Sequence, residues 1–132
     1  MKKTRVVVIG IVLFKGKVLL LKRTPTRHAS PNKWQPISGF LNENETAEKA
    51  AIREVMEETG LDGKIKKVGK VFEVTDDWGR WVILPYLILV TSGKVEIDKN
   101  EHSEAVWVKP HDIERYNLVK GVKKDFEAVG LL

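Results

Sequence analysis

The chain has 132 residues, 42 % of them hydrophobic and 31 % charged, a balance that fits one soluble folded domain over residues 1–132 and excludes a disordered chain. Cysteine is missing, which rules out disulfides, thiolate metal sites and cysteine nucleophiles. The net charge of +5 is unevenly spread: residues 1–40 carry nine Lys or Arg and no acid, residues 41–60 six acids against two bases, and residues 61–132 twelve of each.

A basic segment followed by an acidic one suits an anionic ligand at one end of a site and a bound cation at the other. The basic segment alone would equally serve solubility or weak nucleic-acid contact. "VVVIGIVLF" (6–14) is too short and too β-branched for a membrane-spanning helix, and the first residues lack a signal-peptide cleavage site. The expectation is a soluble, cytoplasmic protein.

In chain order, "RVVVIGIVLF" and "VLLLKR" read as two strands joined at Gly16. "TPTRHASPNK" (24–33) is rich in turn formers and reads as a surface loop. From Thr46, an N-cap, the texture turns helical, with Glu48 in the first turn and Gly60 as the stop. At roughly 100° per residue, Ile52, Val55, Met56 and Thr59 share one side of this helix, while Ala47, Ala50 and Ala51 fall on the other with Glu54, Glu57 and Glu58. Alanines interleaved with acids suit a face approached closely by a ligand or loop. Next come the strand-like runs "KIKKVGKVFEV" and "RWVILPYLILV" around the turn "DDWG". A short strand "AVWV" (105–108) follows, then closing helices in "PHDIERY" and "VKKDFEAVGLL". Strands, helix, strands and helix in this order predict an α/β fold, a sandwich built on a mixed sheet.

The acids belong to a longer pattern. Gly39 is followed after five residues by Glu45, after seven more by Arg53, and then by Glu54, Val55, Glu57, Glu58, Gly60 and Leu61. This reproduces the Nudix signature at all nine specified positions, a coincidence on the order of one in a billion from average residue frequencies. Together with "WQPISG" before it and "EHSEAVWV" after it, nearly the whole chain resembles the Nudix, MutT-like family. The resemblance implies an α/β/α sandwich and Mg²⁺-dependent, or Mn²⁺-dependent, cleavage of a nucleoside diphosphate linked to another group.

It also implies residue roles. Glu54, Glu57 and Glu58 stand as metal ligands, with the carbonyl of Ser38 and a fourth acid, Glu101, six residues before Trp107. One of these glutamates acts as base. Gly39 lets its loop approach the metals without a Cβ. Glu45 and Arg53 form an internal ion pair, and Gly60 ends the helix. His102, directly after Glu101, is read from its position rather than from the resemblance, as a hydrogen-bonding residue that orders this loop in preference to a catalytic one. The spacing agrees with the chemistry: a hard cation takes oxygen ligands, and positions i, i+3 and i+4 of a helix place carboxylates side by side.

"WQ" ahead of the signature resembles the branch that hydrolyses dihydroneopterin triphosphate and dNTPs. Lys22 and Arg23 are candidate phosphate contacts. Trp34, Phe40, Trp78 and Trp81 are candidate base-stacking aromatics, of which Trp34 and Phe40 lie nearest the signature, and only one of the four need face ligand. Dinucleoside polyphosphate or ADP-ribose hydrolysis stays open, as does a Nudix module that binds nucleotide or RNA without cleaving it. "WVILPYLILV" serves either a core or a homodimer interface.

Overall fold

The computed structural model describes residues 3–132. Its elements in chain order are β1 (Lys3–Phe14), β2 (Lys17–Arg23), β3 (Trp34–Gln35), β4 (Ile37–Gly39), α1 (Ala47–Thr59), β5 (Gly63–Val68), β6 (Phe72–Thr75), β7 (Gly79–Val90), β8 (His102–Val108), a 3-10 helix (Pro110–Arg115) and α2 (Val122–Ala128).

All eight strands form one sheet, ordered β3-β2-β1-β7-β5, with β4 beside β1, β6 beside β7 and β8 beside β2. β1 and β7 run parallel in register from Lys3↔Gly79 to Leu13↔Leu89, and the other pairings are antiparallel, so the sheet is mixed. A parallel pair is normally covered on both faces, and its strands are accordingly apolar on both sides. Val8 and Val12 of β1 join a core with α1 residues Ala50, Ala51 and Val55, whereas Ile9 and Ile11 join a second core with Ile113, Val122 and Phe126. Helices therefore cover both faces, giving the α/β/α sandwich.

β2 pairs with β1 only at Leu13↔Val18 and Phe14↔Lys17, and β4 takes its place along Val8–Gly10. β2 turns away to β8 and β3. The segment between these diverging strands, from Arg23 to Gly39, lines a cavity described below.

Three elements differ from the sequence reading. "KIKKVGKVFEV" is two strands, because Pro85 of β7 stands opposite its middle. The Pro85 carbonyl accepts from Gly69 N (2.8 Å), so the N–H that proline lacks would have served the same edge, and the ladder breaks there. The strand over 105–108 begins earlier, at His102, since pairing with β2 continues to Arg23↔His102. The first closing helix is 3-10, and α2 ends at Ala128 just before Gly130, whose φ is 80°. "WVILPYLILV" lies within β7, flanked by β1 on one side and β5 and β6 on the other, so it serves the core.

Phe126 is fully buried and anchors α2 beneath the sheet. Phe126→Ala is expected to cost about 3–5 kcal/mol, read as a lower urea midpoint at unchanged slope.

Candidate active site

Thr46 caps α1, its side chain accepting from Lys49 N (3.3 Å), and Gly60 ends it in the left-handed region with φ 73°. The face turned to the sheet carries Ala50, Ala51, Val55 and Thr59, while Met56 is 44 % exposed. The expected apolar side thus splits, and the alanines go into the core. Their small size lets α1 come close to the sheet: a Cβ on Gly10 would stand 3.0 Å from Val55 Cγ2, and one on Gly39 would overlap the Glu54 carboxyl group. The close approach the alanines permit is by β1 and β4.

Arg53 organises the acids. Its Nε donates to Glu45 Oε2 (2.7 Å), its Nη2 to Glu45 Oε1 and to the Phe40 carbonyl (both 2.9 Å), and its Nη1 to Glu54 Oε1 (2.9 Å) and Glu57 Oε2 (3.2 Å). The bond from Arg53, joined by one from Asn42 N, holds the Glu45 carboxyl below its usual range. Burial raises Glu54 despite the opposing pull of Arg53.

Glu58 lacks such a partner. Burial first, then the charges of Glu54 and Glu101, push its carboxyl up to about 8. Its Oε2 is buried and has no hydrogen-bond partner among the described residues. Glu101 is half exposed and bound by Arg27, Nη1 to Oε2 at 2.7 Å. Among the described residues, no three His, Asp or Glu side chains stand close enough together to hold an ion, because guanidinium groups take Glu54, Glu57 and Glu101. The donor set nonetheless fits a hard divalent cation: oxygen donors only, one of them buried and unpaired, beside a glycine whose Cβ would fill the cradle.

These side chains share a cavity of about 770 Å³, within the size range of small-molecule sites. Ser38, Gly39, Glu54, Glu57, Glu58 and Glu101 line it together with Arg23 and Arg27. Of the expected substrate contacts, Arg23 and Phe40 line it, and Lys22 and Trp34 do not. Lys22 pairs with Glu104 (3.3 Å), and Trp34 packs edge-on against Tyr116 with ring centroids 5.3 Å apart. Trp78 is 84 % exposed and is not part of the lining.

Much of the remaining wall is apolar, from Val7 and Ile9 of β1, Phe72 and Val74 of β6, Trp81 and Ile83 of β7, and Val119 and Val122 near α2, with Asp76 and Lys120 set among them. Trp81 is held by its Nε1 donating to Asp76 Oδ2 (3.0 Å). Into this wall is set Asp125, 6 % exposed, whose carboxyl is pushed up to about 8 by burial alone. The cavity thus has a charged end, at the glutamates and arginines, and a largely apolar one that holds Asp125. Sequence reasoning missed Asp125, although Val122, Asp125, Phe126 and Val129 form an i, i+3, i+4, i+7 stripe in which one acid is out of place. Arg27 and Phe72 as cavity residues had no local signal, whereas Trp81, one of the four candidate aromatics, does line the cavity.

His102 is buried, its ring pushed down to about 4 chiefly by burial, and Gln35 Nε2 donates to its Nε2 (3.4 Å). Gln35 in turn accepts from Arg23 Nη1 (3.3 Å), so the imidazole packs behind the arginine.

A mixed sheet between helical layers, with an acid-lined helix at a cavity mouth, defines the class of protein. The NUDIX domain model matches residues 1–129, and the chain belongs to the Nudix family. It is a Nudix hydrolase, an enzyme acting on phosphoanhydride bonds. Members of the family generally use divalent metal ions. The chain is 28 % identical to the nucleoside triphosphatase NudI of Escherichia fergusonii, an alignment covering 98 % of this chain and 99 % of that one. A MutT Nudix hydrolase from Burkholderia pseudomallei superimposes with a TM-score of 0.84 at 24 % identity, covering 97 % and 99 % of the two chains. The Nudix domain of Shewanella oneidensis NrtR, solved with ADP-ribose, gives 0.80 at 20 % identity over 97 % of this chain and 87 % of that one. No helix among the described residues is long and apolar enough to cross a membrane.

Asp125 makes stability depend on pH. Its folded pKa of about 8 lies above the ordinary 3.8, so the folded state binds a proton that the unfolded state releases. Its contribution is full below the ordinary value and is lost as pH rises through about 8. The urea midpoint is expected to fall between pH 5 and pH 9 in the wild-type chain, and to fall less in Asp125→Asn.

Proposed function

We propose that the protein is a Mg²⁺-dependent nucleoside triphosphate pyrophosphohydrolase, releasing pyrophosphate from a dNTP or from dihydroneopterin triphosphate. One observation carries this reading: a single cavity joins the signature glutamates and two arginines to a largely apolar, aromatic-walled end. Triphosphate suits the first part and a flat heterocycle the second. The similarity to a protein named as a nucleoside triphosphatase supports the same substrate class.

Glu54, Glu57, Glu58 and Glu101, with the Ser38 carbonyl, would hold the cation, Mg²⁺ or Mn²⁺. Once bound, it neutralises phosphate charge and acidifies a coordinated water. The chain's own residues do the rest. Arg23 and Arg27 contact phosphate oxygens from the opposite charge sign. Phe40 and Trp81 flank the heterocycle, and Asp125 meets its polar edge. Arg53 and Glu45 keep the helix acids and the preceding loop in one arrangement. A glutamate of the signature accepts the proton as water oxygen bonds to phosphorus, and the bridging P–O bond breaks to leave nucleoside monophosphate and pyrophosphate.

Purified protein incubated with Mg²⁺ and a panel of dNTPs, dihydroneopterin triphosphate, dinucleoside polyphosphates, ADP-ribose and NADH is expected to release pyrophosphate from a triphosphate. Glu57→Gln and Glu58→Gln should each lower turnover by about 100-fold or more at saturating Mg²⁺. Exclusive cleavage of ADP-ribose, or binding with no turnover, would replace this reading by the corresponding alternative. Gly39→Ala forces the Glu54 carboxyl to move, and a shift of about 1 Å in such a site costs about 100-fold in rate. Loss of turnover with an unchanged circular-dichroism spectrum is the expected result.

A further inference from the structure

Two arginines occupy the acids of the charged end, and they do so differently. Arg53 is tied to three glutamates and a backbone carbonyl, with its side chain 23 % exposed. The Arg27 guanidinium is bound to one residue, Glu101, through Oε2 at 2.7 Å and the carbonyl oxygen at 3.2 Å. The side chains of this second pair are 31 % and 48 % exposed.

The position of Arg27 is also distinctive. It belongs to the loop between β2 and β3, whose stem is closed by Arg23 N on Lys33 O (2.9 Å), Asn32 N on Arg23 O (3.1 Å) and Arg23 Nε on Ala29 O (2.8 Å). The backbone is thus anchored while the guanidinium is held at one point. Its charge is felt both by Glu58 and by Arg23, which places it at the border between the cavity's acids and its other cation. Both Arg27 and Glu101 line the cavity.

We propose that Arg27 exchanges partners during the reaction cycle: it neutralises Glu101 in the absence of ligands, and passes to a phosphate oxygen of the substrate when a divalent cation takes the Glu101 carboxylate. The inference rests on the pyrophosphohydrolase reading and assigns to this pair a coupling that the signature does not contain. Charge balances at each stage. Arg27 and Glu101 compensate each other at the start; at the end the cation compensates Glu101 and a phosphate compensates Arg27. A half-exposed ion pair is weak enough to be surrendered, whereas the Arg53 cluster, bound at several points, stays in place. The exchange makes cation and polyphosphate each favour the binding of the other, because either one releases the group the other needs.

The signature of an exchange is a pair of effects of opposite sign. In calorimetry with Mn²⁺ alone, Arg27→Gln removes a competitor for Glu101 and is expected to bind the ion about two- to fivefold tighter than wild type. With α,β-methylene dATP at saturating Mn²⁺, the same variant should bind the analogue about tenfold or more weakly. Arg27→Lys, which keeps the charge, should fall between wild type and Arg27→Gln in both measurements. In EDTA, Glu101→Gln frees Arg27 without any metal and should bind the analogue more tightly than wild type. If Arg27→Gln binds Mn²⁺ no better than wild type, or Glu101→Gln gains nothing in EDTA, the exchange is overturned while the pyrophosphohydrolase reading stands. A wild-type chain that binds no Mn²⁺ removes both.

Discussion

The guanidinium of Arg53 is the constraint on which the rest of the site depends. It meets both oxygens of Glu45, one oxygen each of Glu54 and Glu57, and the carbonyl of Phe40. Crowding carboxylates on one helix end is unfavourable unless a cation sits among them. A planar group with donors in a fixed fork can serve several acceptors at once, which a lysine ammonium on a flexible stem cannot. The same side chain therefore lowers the repulsion among the acids and clamps the segment from Phe40 to Glu45 onto the helix. Glu58 has no bond from it, and burial, opposed only by the charge of Arg27, raises that carboxyl.

Burial of Glu58 follows from packing. α1 lies close to β1 and β4 because Ala50 and Ala51 are small and because Gly10 and Gly39 have no Cβ to keep Val55 and Glu54 away. On a helix that near a sheet, residues on the inward arc are enclosed whatever their polarity. Glu54 and Glu58 share that arc with the alanines, so the close packing that stabilises the layer also strips water from the acids. A bulkier inward face would lift the helix and hydrate both.

Local features of the chain were legible in the sequence and long-range ones were not. Thr46 and Gly60 bound the helix as their chemistry demands, and Glu45 pairs with Arg53 as the family resemblance implied. The break between β5 and β6 was not legible from its own residues, because its cause is Pro85 on the neighbouring strand. The largely apolar end of the cavity was hidden for the same reason. Val7, Phe72, Trp81 and Asp125 come from four distant segments, which meet only after β1 and β7 pair in parallel and α2 folds back beneath them. Lys22 and Arg23 show a subtler limit. Adjacent residues on a strand point to opposite faces, so at most one of them faces the cavity, and the register with β8 directs Lys22 to Glu104.

That alternation also bears on the basic half of the chain. Nine basic residues precede Phe40 without a single acid, yet among the described residues of that segment Arg23 and Arg27 are the only basic ones that line the cavity. The asymmetry is therefore concentrated, at the site, into two guanidinium groups that share the lining with Glu54, Glu57, Glu58, Asp98 and Glu101. Beyond them lie largely apolar walls that also hold Asp76, Lys120 and Asp125, the last with its carboxyl pushed up to about 8 by burial. A ligand made only of charge, such as inorganic pyrophosphate, would engage the first part and leave Phe72, Trp81, Ile83 and Asp125 without contact. A neutral heterocycle would fill the second and leave Arg27 on Glu101. A molecule charged at one end and flat and largely apolar at the other would meet both parts, which supports the nucleotide-like ligand proposed for this site.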